Sequence, residues 1–156
     1  SINCDIPKTM VRYLVAHCIN INVTPLSDIL MDILQTPVSP ELLPPVGETI
    51  SQQTEEIVGP YELHDFVLFY TLGFMPHKIF RLACLALGDK YKKETIKHWM
   101  TVFYRRFFAQ QFKRSCLPDG PAVGSVSLSP RGGWLMPSDV KSSIWLEDVE
   151  AISVES

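Results

Sequence analysis

No apolar run in this sequence approaches the roughly 20 residues that a membrane-spanning helix needs. The first residues, Ser1-Ile2-Asn3-Cys4-Asp5, have neither the basic start nor the apolar stretch of a secretion signal. A cytoplasmic protein without a membrane partner is therefore expected. An initiator Met is also lacking, which reads as a processed or trimmed chain. The four cysteines, at 4, 18, 84 and 116, form no C-x-x-C pair. A chain of 156 residues can bury a core without disulfides, so reduced thiols are expected. Histidines 17, 64, 77 and 98 give no H-x-x-x-H or H-E-x-x-H spacing, and no Cys/His set resembles a zinc site. No metal site is therefore read from spacing. The G-x-S-x-G elbow of a serine hydrolase is absent. His64 and Asp65 are neighbours, which a helix points about 100° apart, a poor arrangement for a paired acid and base. Cys116 lies close to basic residues that could lower a thiol pKa, yet no histidine partner is evident. Neither Gly120-Pro-Ala-Val-Gly-Ser nor Arg131-Gly-Gly-Trp matches a phosphate-cradling fingerprint. A net charge of −3 and a pI near 5.8 give no reason to expect a nucleic acid partner.

What is there is a globular mixture, 46% hydrophobic and 20% charged, sufficient for one domain-sized core. Twelve prolines, above the usual share of about 5%, cut it into short elements. Asp5-Ile6-Pro7 reads as a helix start with Asp5 as the N-cap, and Met10, Leu14 and Cys18, with Val11 and Val15, form one apolar face. Thr24-Pro25 repeats the start signal ahead of Leu26, Ile29, Leu30, Ile33 and Leu34. A third helical face carries Leu63, Phe66, Val67, Tyr70 and Thr71, up to Gly73. Pro76 opens the next helix, with Ile79, Leu82, Ala83 and Ala86 inward and Gly88 as C-cap. The strongest pattern runs from Glu94 to Phe112 through Ile96, Trp99, Met100, Phe103, Phe107 and Phe108. Ser138 is a candidate cap for a last helix through Ile144, Trp145 and Val149. Strand-type alternation is almost absent, so the fold class is mainly α.

Two stretches break this order. Residues 37–60 hold prolines 37, 40, 44, 45 and 60, two glycines and a polar run, which exceeds an ordinary connection and suits either a functional lid or a disordered linker. Residues 115–139 are again irregular and rich in Pro, Gly and Ser. Charge is uneven as well. Residues 89–114 carry eight Lys or Arg against two acids, a net +6, which leaves −9 for the remainder. Such a basic helix is either a solvated face or an anion site.

Four blocks, in order, carry a resemblance. They are Ile6-Pro7-Lys8-Thr9, Val38-Ser39-Pro40-Glu41-Leu42-Leu43-Pro44, Gly59-Pro60-Tyr61-Glu62-Leu63-His64-Asp65-Phe66, and Gln111-Phe112-Lys113-Arg114-Ser115-Cys116-Leu117-Pro118. With the tail Leu128-Ser129-Pro130-Arg131-Gly132-Gly133-Trp134 and Pro137-Ser138-Asp139, the chain resembles the C-terminal part of a glutamine-dependent NAD+ synthetase of the bacterial two-domain type. The resemblance covers nearly all of residues 1–156. It implies the helical C-terminal segment of an α/β ATP-pyrophosphatase-type (adenine nucleotide alpha-hydrolase-like) synthetase domain, with the parallel sheet largely upstream.

The activity so implied is adenylation of deamido-NAD by Mg-ATP, followed by attack of ammonia from an upstream glutaminase domain, giving NAD, AMP and pyrophosphate. Lys8 matches a lysine that contacts ATP, beside the alternative of a first-turn surface lysine. Ser39 matches the Ser/Thr of a loop that reaches the nucleotide phosphates, beside the alternative of a loop-turn serine; Val38 stands where many relatives have Pro. Residues 37–60 correspond to the mobile lid over bound substrates. Phe112-Lys113 matches a two-residue deamido-NAD contact that is often His-Lys, so Phe112 keeps a ring and loses the imidazole hydrogen bonds. Arg114 is either a second phosphate contact or a helix-end charge. The pyrophosphate-holding Ser-Gly-Gly-x-Asp-Ser loop and the glutaminase Glu-Lys-Cys set do not occur here. The expectation is an inactive C-terminal fragment with no catalytic residue of its own. The full enzyme is expected to be a homo-oligomer, with Phe69, Phe74 and Trp134 as candidate interface aromatics. The competing reading is a non-enzymatic helical interaction module with a basic helix.

Overall fold

A computed structural model describes residues 5–21, 26–36, 59–118, 120–124, 127–129 and 131–154. Among them every regular element is a helix: α1 (Lys8–Ile21), α2 (Leu26–Gln35), α3 (Tyr61–Thr71), α4 (Pro76–Leu87), α5 (Lys93–Ala109), α6 (Gln111–Ser115) and α7 (Ser143–Glu150). The mainly α reading holds. The chain divides into two compact units, Pro7–Glu62 with α1 and α2, and Leu63–Ser156 joined by the segment before Pro7.

In the larger unit α5 is the organising element. Ile96, Met100, Phe103, Tyr104, Phe107 and Phe108 recur at helical spacing and are all buried. Leu63 and Val67 of α3, Ile79, Phe80 and Ala83 of α4, and Val149 of α7 complete this core. Aromatic rings supply much of it: Phe103 and Phe107 are stacked with centroids 5.3 Å apart, and Trp145 lies 4.3 Å from Phe108. The inward set expected for α4 holds at Ile79 and Ala83. It fails at Ala86, which is exposed, because the buried stripe instead passes through Phe80.

The buried polar residues Thr71 and Gln111 are bonded, whereas Asp5 Oδ2 and Gln110 Oε1 are buried without a partner. The Thr71 hydroxyl donates to the Val67 carbonyl at 2.6 Å, so at 3.0 Å the Tyr104 hydroxyl is the donor to Thr71 Oγ1. Burial is the main cause that pushes the Tyr104 hydroxyl pKa up to about 12; the bond to Thr71 opposes the rise and Asp148 adds to it. Two side chains tie α7 in place. Asp148 accepts the His77 backbone N–H at 2.8 Å, meeting an orphan donor of the first turn of α4, and its carboxylate lies 3.0 Å from His77 Nδ1. Lys97 Nζ donates to the carbonyls of Glu150 and Ile152, at 3.1 and 2.6 Å, where α7 ends. One cation of the basic window is therefore a helix-end brace.

Three local expectations are corrected. Asp5 does not cap α1; its Oδ1 accepts the Leu128 N–H at 3.0 Å and the Ser127 hydroxyl at 3.3 Å. Ser138 does not cap α7, which starts at Ser143, and its hydroxyl pairs with that of Ser115 at 3.1 Å. The single helix expected over Glu94–Phe112 breaks at Gln110 into α5 and α6. Thr24-Pro25 lies outside the described residues.

Among its described residues the smaller unit holds the helices α1 and α2 and the start of α3. Arg12 reaches from α1 to the Leu34 carbonyl of α2 at 3.3 Å. Neither helix buries a residue, and Met10, Tyr13, Leu14, Ile29, Met31 and Ile33 are exposed.

Candidate functional site

The break at Gln110 redirects the chain just where the aromatic stripe of α5 ends. The next stripe position is Gln111, a polar residue only 2% exposed. Its amide Nε2 donates to the Met136 carbonyl at 3.2 Å, tying α6 to the irregular segment that follows. Its Oε1 accepts Arg114 Nε at 2.7 Å. Arg114 also donates through Nη2 to the Phe107 carbonyl at 2.5 Å, and its guanidinium lies over the Phe107 ring, 3.9 Å from the centroid. Half-burial there lowers the Arg114 pKa, while the group remains a cation. Arg114 thus braces the α5–α6 junction from within.

Its two predecessors are accessible. The Phe112 ring is 53% exposed and Lys113 is exposed, so a ring and an ammonium are both open to solvent on one turn, about 100° apart around its axis. A planar group can stack on the first, and an anion can pair with the second. Arg131 closes the far end of the turn. Its guanidinium donates to the Ser115 carbonyl through Nη1 at 2.8 Å and to the Leu117 carbonyl through Nη2. Trp134, from the same segment, packs on Phe107 with ring centroids 5.3 Å apart. It therefore serves the core, whereas Phe69 is 70% exposed and Phe74 is 37% exposed.

The 111–118 block and the 128–139 tail thus form one structure. Of the predicted site residues, Phe112, Lys113 and Arg114 share a single helical turn. Lys8 is exposed at the first position of α1, in the other unit, and Ser39 with residues 37–58 of the expected lid lies outside the described residues. The sequence marks neither Gln111 nor Arg131 as a site residue, although both lie in the matching blocks. Gln111 had a usable signal, being a polar residue four positions beyond Phe107 on an apolar stripe. Arg131 had none, because its partners are backbone carbonyls 14 and 16 residues away.

Cys116 is exposed. Burial raises the Cys84 thiol pKa, partly offset by Lys93. Among the described residues no three of His, Cys, Asp and Glu come together as a metal site. No helix among them is long and apolar enough to cross a membrane.

Known proteins are similar to this sequence. A glutamine-dependent NAD(+) synthetase of Mycobacterium leprae is 39% identical to it over 172 residues, which cover 96% of this chain and 25% of that protein. The same enzyme of Mycobacterium tuberculosis (strain H37Rv) and that of Mycobacterium bovis are each 37% identical over the same shares. The chain is a homologue of one part of a glutamine-dependent NAD(+) synthetase. It spans about a quarter of the length of these curated relatives. No family model matches it.

Proposed function

We propose that the chain is the C-terminal part of a glutamine-dependent NAD+ synthetase and that its α6 edge holds deamido-NAD. The similarity across 96% of the chain carries this reading, and the paired exposure of Phe112 and Lys113 supports it. The reaction begins from a carboxylate, which is a poor electrophile. Transfer of AMP from ATP to the nicotinate carboxylate releases pyrophosphate and leaves an acyl-adenylate. Ammonia derived from glutamine attacks the acyl carbon, and AMP departs with the bonding pair, giving NAD. Both substrates are polyanions, so positioning and charge complementarity dominate what the protein contributes.

In this scheme the Lys113 ammonium pairs with a phosphate of the dinucleotide, and the Phe112 ring stacks on one of its planar bases. Arg114, with Nε and Nη2 on Gln111 and Phe107, holds that turn against α5. Lys8 and Ser39 are assigned to ATP, and residues 37–60 to a lid over the bound substrates. Magnesium arrives with ATP as part of the substrate, and no residue described here is assigned to it. The ATP pyrophosphate loop and the glutaminase residues belong to other parts of the enzyme, which we place in the cytoplasm as a homo-oligomer.

The test is product formation by the complete enzyme given deamido-NAD, Mg-ATP and glutamine, read by mass spectrometry. NAD and AMP should appear in equal amounts and fall about ten-fold or more in rate at low deamido-NAD in Lys113→Ala, the scale of one charge-assisted contact. The 156 residues alone should form no NAD. A folded complete protein that makes no NAD would favour a helical interaction module, for which the exposed apolar residues of α1 and α2 are the motivating observation.

A further inference from the structure

We propose that Arg131 is a positioning residue for the Phe112–Lys113 edge, a role that rests on the deamido-NAD reading above. Helix α6 has five residues, too few to be stable by its own hydrogen bonds. The carbonyls at its C-terminal end have no partners further along the helix. Arg131 meets two carbonyls there, those of Ser115 and Leu117, and brings a positive charge to the negative end of the turn. The loop carrying Arg131 is itself closed. Its own N–H approaches Ser129 Oγ at 3.4 Å, Ser129 O accepts the Gly133 N–H at 3.2 Å, and Trp134 N donates to Ser127 O at 3.0 Å.

Both ends of the turn are therefore held from outside it. Gln111 and Arg114 fix the N-terminal side through Met136 and Phe107, and Arg131 fixes the C-terminal side. Between them stand Phe112 and Lys113, whose side chains are exposed. A turn clasped at both ends presents the ring and the ammonium in one geometry before ligand arrives. A turn released at one end must be ordered by the ligand, and its affinity falls accordingly. The planar fork of a guanidinium spans two carbonyls, whereas a lysine ammonium is a point charge on a flexible stem. Arg131→Lys is therefore an intermediate case, and it keeps the test available if Arg131→Ala folds poorly.

The experiment uses the complete enzyme as wild type, Arg131→Lys, Arg131→Ala and Lys113→Ala. It measures KM for deamido-NAD and for ATP, melting temperature, and amide exchange at Cys116 and Leu117. Their N–H groups bond to Phe112 and Arg114 carbonyls. Arg131→Ala should raise the KM for deamido-NAD about ten-fold, with the KM for ATP unchanged, a melting temperature lowered no more than the loss of two exposed hydrogen bonds requires, and the two amides exchanging faster. Arg131→Lys should fall between it and wild type. An unchanged deamido-NAD KM in Arg131→Ala, beside a raised one in Lys113→Ala, would overturn the positioning role and leave the site reading standing. Equal rises in both KM values with a fall in melting temperature would reduce Arg131 to a structural residue. An unchanged KM in Lys113→Ala would overturn the site reading, and the proposal with it.

Discussion

Helices α1 and α2 carry apolar faces as regular as those of α4 and α5, yet the two regions use them differently. In the larger unit α5 is met by α4 and α7, and its stripe is closed from several sides: Ile96 and Tyr104 are fully buried. In the helix pair, α1 and α2 pack on each other, and two cylinders in contact can cover only one side of each. Their remaining apolar residues stay exposed, Ile29 by 58% and Ile33 by 56%. An amphipathic pattern specifies that a face exists; what covers the face depends on elements elsewhere in the chain. The stability of the two regions should differ for the same reason.

The sharpest way to break this comparison is to truncate matched side chains. Ile96→Ala should cost about 3–4 kcal/mol, since it opens a cavity among α5 neighbours that cannot collapse. Ile33→Ala should cost less than about 1 kcal/mol, because its side chain is already half in water. Urea denaturation of both variants reads the difference. Equal losses would mean that Ile33 is as tightly packed as Ile96.

A second effect belongs to the larger unit alone. An unfolded tyrosine titrates near pH 10, whereas folded Tyr104 titrates at about 12, so the unfolded chain gives up its proton first. The resulting stability is whole below pH 10 and is lost as the pH rises toward 12, about 3 kcal/mol over that window. Tyr104→Phe should remove this part of the alkaline loss while costing about 1 kcal/mol at neutral pH through the bond to Thr71. Denaturation midpoints at pH 8 through 12 test it, and identical alkaline slopes in the two proteins would refute the assignment.

The smallest effect concerns how α7 is attached. Asp148→Ala removes the acceptor of the His77 N–H and should cost about 1 kcal/mol, with Asp148→Asn milder because an oxygen remains. Thermal melts distinguish the two. No change in Asp148→Ala would mean that α7 is held by Val149 and Lys97 without this link.

These regions also differ in how much of them the sequence reveals. The α5 stripe is legible because six buried residues repeat at helical spacing within a single segment. The break at Gln110 is not legible. Gln, Phe and Lys all suit a helix, and the interruption depends on Arg114 reaching back to Phe107 and on Met136 accepting from Gln111. Asp5 illustrates the same limit. It has the chemistry of an N-cap, but the Leu128 N–H and the Ser127 hydroxyl lie within its reach. At the candidate site, the residue types Phe112 and Lys113 could be read from a motif. The side chains that set their geometry, Gln111 and Arg131, act through contacts distant in sequence.

The most direct measurement for the account is equilibrium binding of deamido-NAD to the complete enzyme, by calorimetry without turnover, in wild type and Lys113→Ala. The expected result is a Kd about ten-fold weaker in the variant, with ATP binding unaltered. The same Kd for deamido-NAD in both proteins would contradict it.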